Sequence, residues 1–155
     1  NPTVKIMFTI SPVRHLRDGF VENNRSKAVL IQAVHHLVNK FSKLFYFPAY
    51  ELVIDDLRDY RFYAEDLVHP NYAATQYVWE KWVESYYNAS TQQIMKQVAE
   101  LQLAKQHKPF NKSSKAHQAF LHSCIQKTQD LMKLYPFLKL QELSTFFSGE
   151  LVNNA

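Results

Sequence analysis

Asp66-Leu67-Val68-His69-Pro70 sets a carboxylate three residues before an imidazole and a proline directly after the ring. On a tight loop a carboxylate at that spacing can accept the imidazole Nδ1 proton. Nε2 is then free to take a proton from a nucleophile and return it to a leaving group, which is general base and then general acid work. Pro70 biases His69 away from the helical region toward extended backbone. The ring is therefore expected to project at the mouth of the helix that follows. Asp-x-x-His is a weak pattern by itself, and the alternative is a histidine that merely precedes a proline-started helix beside a solvated loop carboxylate.

The remaining chemistry-bearing side chains offer less. His35 and His36 are adjacent on a predicted helix and cannot share one face. His117 and Cys124 lie seven apart and can share a face, but two ligands do not make a metal site, and a core cysteine is the simpler account. Asp55, Asp56, Arg58, Asp59 and Arg61 form a mixed-charge run that reads as a solvated face with local ion pairs, with Arg58 or Arg61 as possible pocket borders. Tyr77, Trp79 and Trp82 read as core and interface aromatics. No metal and no cofactor is called for.

The elements that must hold Asp66 and His69 follow from hydrophobic period. Val4–Ile10 is apolar and β-branched and reads as a buried strand that stops at Ser11-Pro12. The period then switches to helical, with Leu30, Ala33, Val34, Leu37, Val38 and Phe41 as the expected apolar stripe and Asn23 or Asn24 as the expected cap. A second apolar run from Lys43 ends at Pro48. Strand, helix, strand is the βαβ unit, so the two strands are expected to be parallel. Residues 49–60 read as a short helix, and Pro70 opens a helix with Ala74, Val78, Trp82 and Tyr86 on one face. From Ser90 two amphipathic helices follow. Ser90 and Gln93 have capping-box spacing, and Phe120, Cys124, Thr128, Leu131 and Tyr135 line the second helix. They predict an antiparallel helical hairpin across a short polar turn, over residues 90–136, with 137–155 as a tail.

Composition sets the outer bounds. At 155 residues, with 46% hydrophobic and 21% charged residues, the chain can build a real core and is neither fibrous nor disordered. Two glycines, Gly19 and Gly149, exclude a Gly-rich phosphate cradle. The single cysteine excludes an intrachain disulfide and points to a reducing, cytoplasmic setting. A net charge of +4 without a basic block gives no stripe for tracking phosphates, so no nucleic-acid partner is expected. No apolar run is long enough to span a membrane. The opening "NPTVKIMFTI" has none of the features of a signal peptide and no initiator Met, so the natural N-terminus is expected to lie elsewhere.

Three stretches carry a resemblance. "TISPVRHLRDGFVENNRSKA", "YFPAYELVIDDLRDYRFYAEDLVHP" and "AKQHKPFN" resemble the GSCFA domain family, itself similar to the SGNH (GDSL-like) hydrolases. The resemblance covers roughly residues 4–136 and concerns the C-terminal portion of such a domain. It implies a partial flavodoxin-like α/β fold, with a short parallel sheet in a mostly helical chain, over residues 1–89. It implies an esterase or acyl hydrolase, with an acyl ester or glycan as substrate, in which Asp66 orients and His69 is base and then acid. Ser11, Arg14 and His15 of the "SPVRH" turn become candidate pocket residues at a strand's C-terminal edge, where open α/β sheets bind ligands. The Gly-Ser-Cys-Phe-Ala motif that names the family is absent: neither Gly precedes Ser, and Cys124 sits in "HSCIQ". No nucleophile is therefore expected in this chain, which is expected to be inactive alone. A two-strand sheet would also leave edges open, so a homo-oligomer or pairing with a missing N-terminal half is expected. The rival reading is a non-catalytic binding module on the same scaffold.

Overall fold

The computed structural model describes residues 1–153. They divide into two compact units, the first Asn1–Tyr87 and the second from Asn88 onward. Among the described residues no helix is long and apolar enough to cross a membrane.

In the first unit, β1 (Ile6–Phe8) and β2 (Leu44–Tyr46) pair in parallel, with Ile6 opposite Leu44 and Phe8 opposite Tyr46. The crossover between them is α1 (Gly19–Lys40). Parallel neighbours need such a long return, and the switch from a strand-like to a helical hydrophobic period encodes it. After β2 the chain turns at Pro48 into α2 (Ala49–Glu51), which runs on as a π-helical stretch, Leu52–Asp56. A 3₁₀ turn at Tyr60–Phe62 leads to the Asp66–His69 loop, and then α3 (Tyr72–Tyr86). Ile10, Phe47, Val53, Leu57, Tyr63 and Ala74 form the buried core of this unit. The rings of Trp82 and Tyr86 meet Phe47 edge-on at 5.0 and 5.9 Å. Full burial of a side chain such as Val53 stabilises the unit by roughly 1.5–3 kcal/mol.

Two expectations about α1 are corrected. The helix starts at Gly19, before either asparagine proposed as its cap, and Asp18 at the cap position makes no side-chain capping bond. Gly19 has φ +86°, a left-handed conformation that closes the turn Leu16–Gly19 and is costly for residues with a Cβ. Asn23 lies buried inside the helix, where its Oδ1 accepts the His15 backbone N–H at 2.8 Å. The less exposed face also differs from the expected stripe. Lys27, Ile31, Val34, Leu37 and Val38 are half-buried, while Leu30, Ala33 and Phe41 face solvent. Phe20, Val21 and Val29 are exposed as well. The helix carries apolar residues around more than one face, so periodicity alone could not say which of them meets the sheet.

The second unit packs α4 (Ala89–Gln106), α5 (Lys115–Leu134) and α6 (Gln141–Asn153) around one core. Leu101, Leu121, Cys124, Leu131, Leu140, Leu143 and Phe147 make up that core. The third helix is additional to the expected hairpin. It occupies most of what the sequence reading treats as a tail, whose last two residues lie outside the described ones. Asn88, not Ser90, caps α4, accepting the Thr91 N–H at 2.9 Å. Ser114 caps α5. Cys124 and His117 are both core residues, and the buried Thr128 hydroxyl donates to the Cys124 carbonyl at 2.7 Å.

Candidate active site

The loop from Tyr63 to Pro70 is closed at its base by its own backbone. Tyr63 and Pro70 form an antiparallel bridge, Ala64 N–H donates to the His69 carbonyl at 2.8 Å, and Asn71 N–H donates to the Phe62 carbonyl at 2.9 Å. Asn71 fastens the loop to α3. Its Oδ1 caps the helix by accepting from Ala74 N–H at 3.1 Å, and its Nδ2 donates to the Arg61 and Tyr63 carbonyls at 2.6 and 3.3 Å. At the tip, Leu67 has φ +56°. A left-handed backbone at a leucine costs about 1–2 kcal/mol, and here it belongs to the reversal that brings two successive N–H groups round to one carboxylate.

That carboxylate is Asp66. Its Oδ1 accepts the backbone N–H groups of Val68 and His69 at 2.9 and 3.0 Å, and its Oδ2 lies 2.7 Å from His69 Nδ1. The backbone bond from His69, the ring bond and the bond from Val68 hold the Asp66 carboxyl at about 2, below its ordinary 3.8. An ionised carboxylate only accepts, so Nδ1 carries the proton and Nε2 is the basic nitrogen of the ring. The ring is well exposed, with 62% of its side-chain surface open.

His69 also borders an apolar cavity of about 580 Å³. The cavity lies at the C-terminal ends of both strands, where Thr9 follows β1 and Phe47 follows β2, and α3 lines it with Thr75, Val78, Trp79 and Trp82. Such a volume lies in the range that takes a small organic ligand. The reading of the tryptophans as core and interface aromatics did not assign them to a cavity. The available signal was their spacing with Thr75 and Val78, one helical stripe that begins just past His69-Pro70. Thr75 is the hydroxyl on that stripe, and it donates to backbone carbonyls of Asn71 and Tyr72.

The "SPVRH" turn divides. Pro12 and Val13 line the apolar cavity, whereas Ser11, Arg14 and His15 do not. Ser11 Oγ accepts the Val13 N–H at 3.2 Å. Arg14 lies over the rings of Tyr63 and Tyr60, 5.2 and 5.9 Å from their centroids. His15 is exposed, with Nδ1 3.7 Å from Asp18 Oδ2. Arg58 pairs with Asp55 at 3.0 Å and Arg61 lies 3.7 Å from Asp59, and neither is among the residues that line the cavity beside His69. His35 packs edge-on against Tyr46. Among the described residues no group of three or more His, Cys, Asp or Glu side chains is placed to hold a metal ion.

Two family models match this sequence. One, described as the GSCFA family, covers residues 1–82 and so includes every residue of the site, and the other, described as the C-terminal domain of GSCFA domain proteins, covers residues 98–152. No curated protein and no solved structure matches the chain.

Proposed function

The chain belongs to the GSCFA family, and from that premise we propose that Asp66 and His69 are the acid–base end of an ester or acyl hydrolase site. The observation that carries this reading is the 2.7 Å bond from His69 Nδ1 to a carboxylate already fixed by two backbone N–H groups, at the rim of an apolar cavity. Asp66 would hold the ring in one tautomer. Nε2 would take a proton from an attacking nucleophile and deliver it to the leaving oxygen. The cavity would seat the acyl part of the substrate, since its walls are mainly Phe, Val, Ala, Pro and Trp.

The nucleophile is assigned to sequence outside these 155 residues. Thr9 and Thr75 are the hydroxyls at the cavity, Thr75 is engaged with backbone, and Cys124 is buried in the second unit. The same outside sequence, or a second copy of the chain, would cover the strands, whose Ile6 and Phe45 are exposed. A non-catalytic binding module is the second reading, favoured by the engagement of Thr75. Hydrolysis of short acyl p-nitrophenyl esters separates the two. The 155-residue chain alone is expected to give the buffer rate, and the chain joined to a family member's Gly-Ser-Cys-Phe-Ala segment is expected to turn over. His69→Ala should then lower kcat/KM by ~10²–10⁴. A joined protein that turns over equally well without His69 refutes the assignment.

A further inference from the structure

The turn that walls the apolar cavity on one side walls a smaller and very different cavity on the other. Pro12 lines both. The second space is about 170 Å³, and its polar lining is Arg14, Lys27, Asn23, Asn24 and Tyr50, with no carboxylate among the lining residues. Two cations therefore face one small cleft that no carboxylate lines; Asp59, which lines a separate cavity with Arg14, lies 3.7 Å from Arg61. Like charges sharing a partly desolvated space repel, so each has to be held there by something else.

The structure supplies those supports. Arg14 rests on the faces of Tyr63 and Tyr60, which attract a guanidinium while leaving its five N–H donors uncommitted. Among the described residues it makes no ion pair and no hydrogen bond. Lys27 is anchored by one bond, from Nζ to the Ser11 carbonyl at 2.6 Å, which leaves two donors. Burial pushes its ammonium below the ordinary lysine value, a cost that an anion in the cleft would offset. Asn23, itself 8% exposed, uses Oδ1 for His15 N–H and one amide hydrogen for Asn24 Oδ1, so that its second amide hydrogen and the two on Asn24 Nδ2 remain. The acidic residues nearest Tyr50 have their own partners: Glu51 accepts from the Tyr46 hydroxyl at 2.8 Å, and Asp55 accepts from Arg58 at 3.0 Å. What lines the cleft is a set of unspent donors and two positive charges.

We propose that this cleft binds an oxyanion, the carboxylate or phosphate end of a small ligand, held between Arg14 and Lys27 with the amides of Asn23 and Asn24. A planar guanidinium suits either group by bidentate bonding, and Lys27 adds a point charge. At about 170 Å³ the space is smaller than the ~300–1,000 Å³ of a whole-ligand pocket, so it takes one anionic group of a larger molecule. The inference stands on the cleft and does not depend on hydrolysis at His69.

The test is a ¹H–¹⁵N NMR titration of the full 155-residue chain with sodium phosphate and, separately, sodium acetate, at ionic strength held constant with sodium chloride. Saturable shifts centred on the Asn23 and Asn24 side-chain amides and the His15 backbone amide are expected. Saturation by phosphate alone identifies a phosphate site, by acetate alone a carboxylate site, and by both a general oxyanion site. Arg14→Gln and Lys27→Gln should each weaken binding about tenfold or more, the scale of a lost charge-assisted hydrogen bond. Arg25→Gln, on the same helix but paired with Glu22, should leave it unchanged. Lys27→Gln keeps the test valid if Arg14→Gln unsettles its turn. Shifts that never saturate and spread over the exposed lysines and arginines, or saturable binding that survives both variants, overturn the proposal.

Discussion

Replacing Asn71 separates the two ways in which this side chain serves the site. Asn71→Ala removes the cap of α3 and both bonds to loop carbonyls. Asn71→Ser keeps an oxygen able to cap Ala74 N–H but cannot reach the Arg61 and Tyr63 carbonyls. A lost cap costs about 1 kcal/mol. The 2.6 Å bond to Arg61 is solvent-accessible and the 3.3 Å bond to Tyr63 is long, so together they contribute about 1 kcal/mol. The serine variant should therefore lose about 1 kcal/mol and the alanine variant about 2 kcal/mol. For a unit of this size that lowers the melting midpoint by roughly 4–8 °C and 8–16 °C respectively. Both tryptophans of the protein, Trp79 and Trp82, lie on α3, so selectively excited tryptophan fluorescence during heating reports this unit alone. Midpoints for both variants within 2 °C of the parent would refute the claim that Asn71 fastens the loop. Equal losses in the two would show that the cap contributes nothing.

The carboxyl of Asp66 should titrate near 2 in a ¹³C NMR series. Because the folded value lies below the ordinary one of 3.8, its stabilising effect is complete above about 3.8 and is lost as pH falls through about 2; a midpoint near 4 would contradict the bonding described. His117 in the second unit is 7% exposed, and neither of its ring nitrogens has a partner among the described residues. His117→Leu should stabilise the second unit by about 1 kcal/mol, seen as a higher urea midpoint, because a buried polar group without a partner costs ~1–3 kcal/mol; a lower midpoint would show that the ring is bonded.

Much of this molecule is written within a few residues of where it appears. The parallel pair β1 and β2 followed from a change of hydrophobic period, and the pairing of Asp66 with His69 needs only a three-residue separation and a loop. The period of each element and the Asp66–His69 bond are local effects, decided by neighbours within about one turn, and the parallel pairing follows from the order of the elements. Other features depend on segments far apart in the chain. Which side of α1 meets the sheet could not be read, because its apolar residues occupy more than one face, and Asn23 became a buried brace for the His15 turn instead of a cap. The left-handed Leu67 breaks the local preference of its residue type and is held by bonds that close the loop around it. The apolar cavity gathers Thr9, Phe47, His69 and Trp82 from four separate stretches. The small cleft brings Arg14, which lies over two tyrosines that follow the π-helical stretch, into one lining with Lys27 of α1. Sequence spacing sets what one turn of backbone can do, whereas cavities and unpaired charges are made by distant segments packing together, so only the tertiary structure decided them.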